Sequence, residues 1–137
     1  MKRITFFVVA GLILLTACGA SSDISDSNSD AAIATVPAEY AGKTNPYGID
    51  AAAQGAKAFQ TNCEMCHGPQ GHGDGPAGQS LEPRPKNLAV LQKNVGDDYL
   101  FWRISEGKPG TSMVAWKGIL DTDQIWQIVS FIRTLPE

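Results

Sequence analysis

The stretch Cys63-Glu64-Met65-Cys66-His67 sets two thiols three positions apart and an imidazole directly behind the second. Four chemistries begin with that spacing: a structural zinc site, a redox-active dithiol, a disulfide, and covalent attachment of a haem. Zinc would have to draw its ligands from Cys63, Cys66, His67 and His72. Cys66 and His67 are adjacent, so both can hardly face one tetrahedral ion, and the connecting span of a zinc finger is missing. A thioredoxin-like dithiol expects a βαβ setting, and no strand-like run accompanies this motif. A lone disulfide leaves His67 without a role. Haem attachment uses every part, because the two thiols add across the two porphyrin vinyl groups and the next residue supplies the proximal iron ligand.

A second axial ligand is then sought among few candidates. Beyond Cys18 the chain offers only His67 and His72 as histidines, and only Met65 and Met113 as methionines. His72 follows the proximal ligand too closely to cross to the other face, and Met65 sits inside the attachment turn. Met113, in Gly110-Thr111-Ser112-Met113-Val114-Ala115-Trp116-Lys117-Gly118, lies far enough along the chain to cover the distal side. Iron held by His67 and Met113 has no vacancy, so the expected activity is one-electron transfer. Neither catalysis nor a small-molecule substrate is expected, and a haem enzyme or gas sensor, which needs open iron, is disfavoured.

Three helices must position these residues. The first starts at Asp50 as N-cap, runs through Ala51 to Gln60, ends near Asn62 and delivers Cys63. The second begins at Asp97-Asp98, whose charges suit a helix N-terminus, places Leu100 and Ile104 on one face and stops at Gly107. The third carries a capping-box pair, Asp121 and Gln124, and a buried stripe of Ile125, Ile128, Val129, Ile132 and Leu135, with Pro136 as the stop. The Gly/Pro-rich stretch between the first two helices, which includes GPQGHGDGPAG, reads as loop throughout. The fold class is therefore all-α, with short helices and long loops that need a rigid apolar object to complete a small core.

Met1-Lys2-Arg3 and the apolar run from Ile4 to Leu15 have the form of an export signal, too short for a good membrane span. Leu15-Thr16-Ala17-Cys18 resembles a bacterial lipobox, so residues 1–17 are expected to be removed and Cys18 to carry the lipid anchor. Residues 18–45 read as a Ser/Asp- and Ala/Pro-rich tether, and 46–137 as the folded domain. The expected location is the extracytoplasmic or periplasmic side of the cell membrane. At a formal net charge of −3, with no basic-aromatic stripe, nucleic acid is not an expected partner.

The sequences CEMCHG, GPQGHGDGPAG and TSMVAW together resemble a small class I, mono-haem cytochrome c of the bacterial lipoprotein type, and the likeness spans residues 46–137. It implies one covalently bound haem c (Fe) on Cys63 and Cys66, with His67 and Met113 as metal ligands. It also implies that Gly55 and Phe59 pack against the C-terminal helix near Ile128 and Phe131. A carbonyl at Pro83 or Pro85 would orient His67. Trp116 and Arg103 would line the pocket or hold a propionate, or simply pack or face water. Expected partners are redox proteins, with electrons passing from a quinol-oxidising complex to a terminal oxidase or reductase in a respiratory or photosynthetic chain. The alternative is a fixed subunit of a larger assembly such as alternative complex III. Lys86, Lys93, Lys108 and Lys117 could form a steering rim, or could be ordinary solvated lysines.

Overall fold

The computed structural model describes residues 33–137. Residues 1–32, with the export signal, Cys18 and the first part of the expected tether, lie outside the described residues. Five helices follow in order: α1 (Ala52–Asn62), α2 (Glu64–His67), α3 (Leu88–Leu91), α4 (Asp97–Glu106) and α5 (Thr122–Ile132), with 3-10 turns at Gly48–Ala51 and Gly78–Ser80. Among the described residues there is no strand, only an isolated bridge between Lys117 and Leu120. The all-α expectation holds. No helix among them is long and apolar enough to cross a membrane.

The helix ends show which local signals acted. Asp121 accepts from the Gln124 amide at 2.7 Å while the Gln124 side chain accepts from the Asp121 amide at 3.0 Å, so the capping box closes in both directions. Helix α4 runs from Asp97 to the stop at Gly107, whose φ of 66° a side chain would resist. Asp50, by contrast, is not an N-cap. The chain winds first through the 3-10 turn that contains Asp50, and α1 starts behind Ala51 with no side-chain cap. Nor is the segment after α1 all loop, since α2, the Gly78–Ser80 turn and α3 interrupt it. Asn87 caps α3 by accepting from Val90, a local signal that glycine and proline density masked.

The stripe is buried from Ile125 through Ile132 on α5 and on to Leu135 just past the helix end, with Ile128 and Val129 at 0% exposure. Each fully buried Ile, Leu or Val contributes roughly 1.5–3 kcal/mol relative to exposure. Helix α1 crosses this stripe at Gly55, where an added Cβ would lie 1.8 Å from the Gln127 carbonyl oxygen and 3.0 Å from Phe131 Cβ. One turn later Phe59, 1% exposed, meets Phe131 with ring centroids 5.0 Å apart. Helix α4 packs on the other flank of α5, where Phe101 stacks on Trp126 at 4.0 Å. Arg133 then ties the end of α5 to the start of α4, donating to Asp97 at 2.7–2.8 Å and to the Val95 carbonyl at 2.9 Å.

The expected boundary between tether and domain moves. The compact unit begins at Ile33 rather than Pro46. Residues 33–45 form a strap in which Tyr40 is 6% exposed within the core. Asn45 donates to the Trp126 carbonyl at 3.1 Å and to Ser130 Oγ at 2.8 Å, and the Gly42 amide donates to Asp98 at 2.9 Å. Low apolar content concealed the strap, because a single aromatic and a few hydrogen bonds hold it.

Gly55→Ala tests the crossing. In an exposed helix interior this change stabilises by roughly 0.5–1 kcal/mol. Here we expect a net loss of about 1–3 kcal/mol, as for overpacking a close contact, read as a lower midpoint in urea unfolding. A stabilised variant would show that the two helices separate freely.

Candidate functional site

The C-terminal end of α1 delivers Cys63, whose amide donates to the Phe59 carbonyl at 2.8 Å. Cys63 opens α2, where its carbonyl accepts from the Cys66 amide at 3.1 Å and the His67 amide at 2.9 Å. Residues at i, i+3 and i+4 of a helical turn share one face, so Cys63, Cys66 and His67 present two thiols and an imidazole side by side. Neither thiol is in a disulfide. Among the described residues no group of three or more His, Cys, Asp and Glu side chains gathers as a metal site, so the zinc set with His72 does not assemble.

Electrostatics separates the remaining chemistries. Burial pushes the Cys63 thiol up to about 12, with Cys66 nearby adding to the rise. Such a thiol stays protonated at neutral pH and is poorly suited to a redox dithiol, whose attacking sulfur needs a lowered pKa. His67 is held below the ordinary histidine value, first by burial and against a smaller opposing effect from the Lys86 backbone, so its ring is neutral and fit to ligate a metal. Its Nδ1 is buried without a hydrogen-bond partner of normal geometry, and a backbone group that raises a histidine does so as a carbonyl acceptor. The Lys86 backbone thus lies near the ring, beside the candidates Pro83 and Pro85. The Pro85 carbonyl lies against Gly73, where a Cβ would be 2.3 Å from it.

The glycine-rich loop caps the end of α2. Ala77 donates to the Met65 carbonyl at 3.0 Å and Gly73 to the His67 carbonyl at 2.8 Å, which satisfies groups left open at a helix C-terminus. Gly75 and Gly78 are needed for space. A Cβ on Gly75 would lie 2.5–2.7 Å from backbone atoms of Glu64, Met65 and Cys66, and one on Gly78 would lie 2.1 Å from the Cys66 carbonyl. Reading this stretch only as loop missed that role, although repeated glycines within a dozen residues of the cysteines were a usable signal.

Met113 is half-buried on the loop from Gly107 to Trp116. The backbone holds it there. Its carbonyl accepts from the Lys108 amide at 3.0 Å and lies 2.5 Å from where a Gly107 Cβ would be. Arg103, on α4, lays its guanidinium 3.8 Å from the centroid of Trp102, and its Nε is buried without a partner. Trp116 packs partly buried against the core. Of the four lysines read as a steering rim, Lys93 pairs with Glu137 at 2.6 Å and Lys117 with Glu106 at 3.1 Å, which neutralises half of it.

Two unpaired thiols beside a neutral imidazole, with buried unpartnered nitrogens at His67 and Arg103, match the donor set of a covalently attached haem. Residues 50–132 match the family described as cytochrome c oxidase, cbb3-type, subunit III. Among solved structures the chain is similar to one from the reducing HAO-like protein complex of Kuenenia stuttgartiensis, at 25% identity and a TM-score of 0.55, over 61% of this chain and 41% of that one. It is also similar to cytochrome cL of Methylophaga aminisulfidivorans, at 26% identity and a TM-score of 0.50, over 64% and 54%. Cytochrome cL of Hyphomicrobium denitrificans shares the fold at 24% identity and a TM-score of 0.53, over 67% and 52%. The chain thus spans about half or less of the length of these structures. Among curated proteins no match is found.

Gly78→Ala tests the loop's role. The added methyl must displace the Cys66 carbonyl, so we expect a stability loss of about 1–3 kcal/mol and a smaller fraction of chains carrying covalent haem. Haem staining per unit of protein measures the second effect, and an unchanged ratio would separate the loop from the attachment turn.

Proposed function

Since the chain belongs to the cytochrome c family represented by cbb3-type oxidase subunit III, and therefore carries covalently bound haem c and serves electron transfer, we propose that it is a membrane-anchored mono-haem cytochrome. Its role in this reading is to pass single electrons from a quinol-oxidising complex to a terminal acceptor such as an oxidase. The observation that carries the proposal is the shared face of Cys63, Cys66 and His67 on one helical turn. The haem, when bound, supplies a one-electron iron couple.

The chain's own residues do the rest. Cys63 and Cys66 would hold the group through thioether bonds. His67, a neutral ring, would ligate the iron, and a backbone carbonyl near the ring, at Lys86 or in the Pro83–Pro85 stretch, would orient it. Met113 would supply the second iron ligand, which would raise the potential and leave no site for a substrate. That assignment rests on exclusion, because Met65 is 64% exposed on the outer side of the attachment turn and His72 follows His67 by five residues. In this reading the protein is not an enzyme. Leu15-Thr16-Ala17-Cys18 supports lipid attachment at Cys18 and a place on the extracytoplasmic side of the membrane.

The family description and the Kuenenia assembly favour a second reading, a fixed subunit of a larger redox complex. Mild detergent extraction of native membranes distinguishes the two. A small haem-staining species that contains this chain supports the carrier, and stable co-migration in a large assembly supports the subunit.

Carbon monoxide tests the ligand set. The reduced wild-type protein is expected to show no spectral shift, whereas Met113→Ala, with an open sixth position, is expected to bind the gas. Ready binding by the wild type would overturn Met113 as ligand. A pyridine haemochrome assay is expected to give one haem per chain.

A further inference from the structure

The strap at 33–45 lies before the span of residues 50–132 matched by the family, yet it is packed as part of the domain. Its Tyr40 ring is buried 6.1 Å from Phe101, while its hydroxyl donates to Glu106. Glu106 is the last residue of α4 and also accepts from Lys117 Nζ at 3.1 Å; Lys117 lies 3.5 Å from the Tyr40 hydroxyl as well. These two partners flank the loop from Gly107 to Trp116. Backbone bonds join the same two ends, from the Trp116 amide to the Ile104 carbonyl at 3.1 Å and from the Lys117 amide to the Ser105 carbonyl at 3.0 Å. A cleft of about 540 Å³ bordered by Tyr40, Phe101, Ser105 and Lys117 opens beside the latch, at the base of the loop.

We infer that the strap is a positioning element for the Met113 loop: Tyr40 latches Glu106 and Lys117, the residues at the two ends of that loop, and so holds Met113 where it serves as sixth ligand. The inference rests on Met113 being that ligand. The three groups favour one another. Glu106 is held below the usual carboxylate range, chiefly by the Tyr40 hydrogen bond and then by Lys117, and Lys117 is raised chiefly by its hydrogen bond to Glu106. A loop with a latch at its base opens less often, and opening is what frees a methionine sulfur from iron. Tyr40 is thus a positioning residue, acting through the loop without touching the iron.

The test uses the full-length, haem-loaded protein with Tyr40→Phe and Glu106→Gln. Three readouts apply: the far-red methionine-to-ferric-iron band, the rate at which imidazole binds the ferric protein, and amide hydrogen exchange across Gly107–Trp116. In both variants the band is expected to weaken, loop exchange to accelerate, and imidazole to bind about tenfold or more faster, as follows from losing one charge-assisted hydrogen bond. Ile132→Val, a core change on α5, lowers overall stability without touching the latch and is expected to leave all three readouts near wild type. Wild-type values in both latch variants, or equal changes in Ile132→Val at matched stability, would overturn the latch while leaving Met113 in place. A wild type that lacks the band and binds imidazole at once would overturn Met113 itself, and the latch with it.

Discussion

The close approach of α1 to α5 at Gly55 is the contact on which the site depends. Because Gly55 has no side chain, the Gln127 carbonyl can sit where a Cβ would stand, and the two helices cross at backbone distance. One turn later this crossing places Phe59 between Phe131, at 5.0 Å, and the ring of His67, at 6.5 Å. The buried stripe of α5 is thus connected through one phenylalanine to the proximal histidine. Burial then shapes the turn's chemistry, raising the Cys63 thiol before attachment and keeping His67 a neutral ring.

A second layer of constraint comes from the glycine-rich loop. A helix of one turn has little intrinsic stability, since nucleation costs more than a single turn returns. Helix α2 persists because α1 leads directly into it and because Gly73 and Ala77 occupy its last carbonyls. Gly75 and Gly78 let the loop lie flat against those carbonyls. The attachment turn is therefore held from both ends, an economical way to preorganise three side chains in a small domain.

The strap extends the domain beyond the family's common span. It is held by one buried aromatic, by Asn45 on α5 and by Gly42 on Asp98, a set of contacts with little apolar area. Its Tyr40 meets Glu106 and Lys117, the residues at the two ends of the Met113 loop, where backbone bonds also join that loop to α4. Fold and ligand position are linked there by polar contacts that an apolar pattern does not advertise.

What the sequence by itself determined were the features with a local physical cause. The spacing of Cys63, Cys66 and His67 singled out their shared chemistry, because one helical turn makes those positions neighbours. The period of Ile125, Ile128, Val129, Ile132 and Leu135 marked the buried face of α5, and Asp121 with Gln124 marked its start. Tertiary structure alone decided the matters that hang on contacts between distant segments. It brought the Lys86 backbone near His67, one residue beyond the candidate Pro85. It also turned Gly75 and Gly78 from loop residues into spacers against α2. Residues 33–45 became part of the domain for the same reason: the partners of Tyr40 and Asn45 lie some 66 and 81–85 residues away along the chain. No local window contains both sides of such a contact, and hydrogen bonds of that kind leave no periodic trace in the sequence.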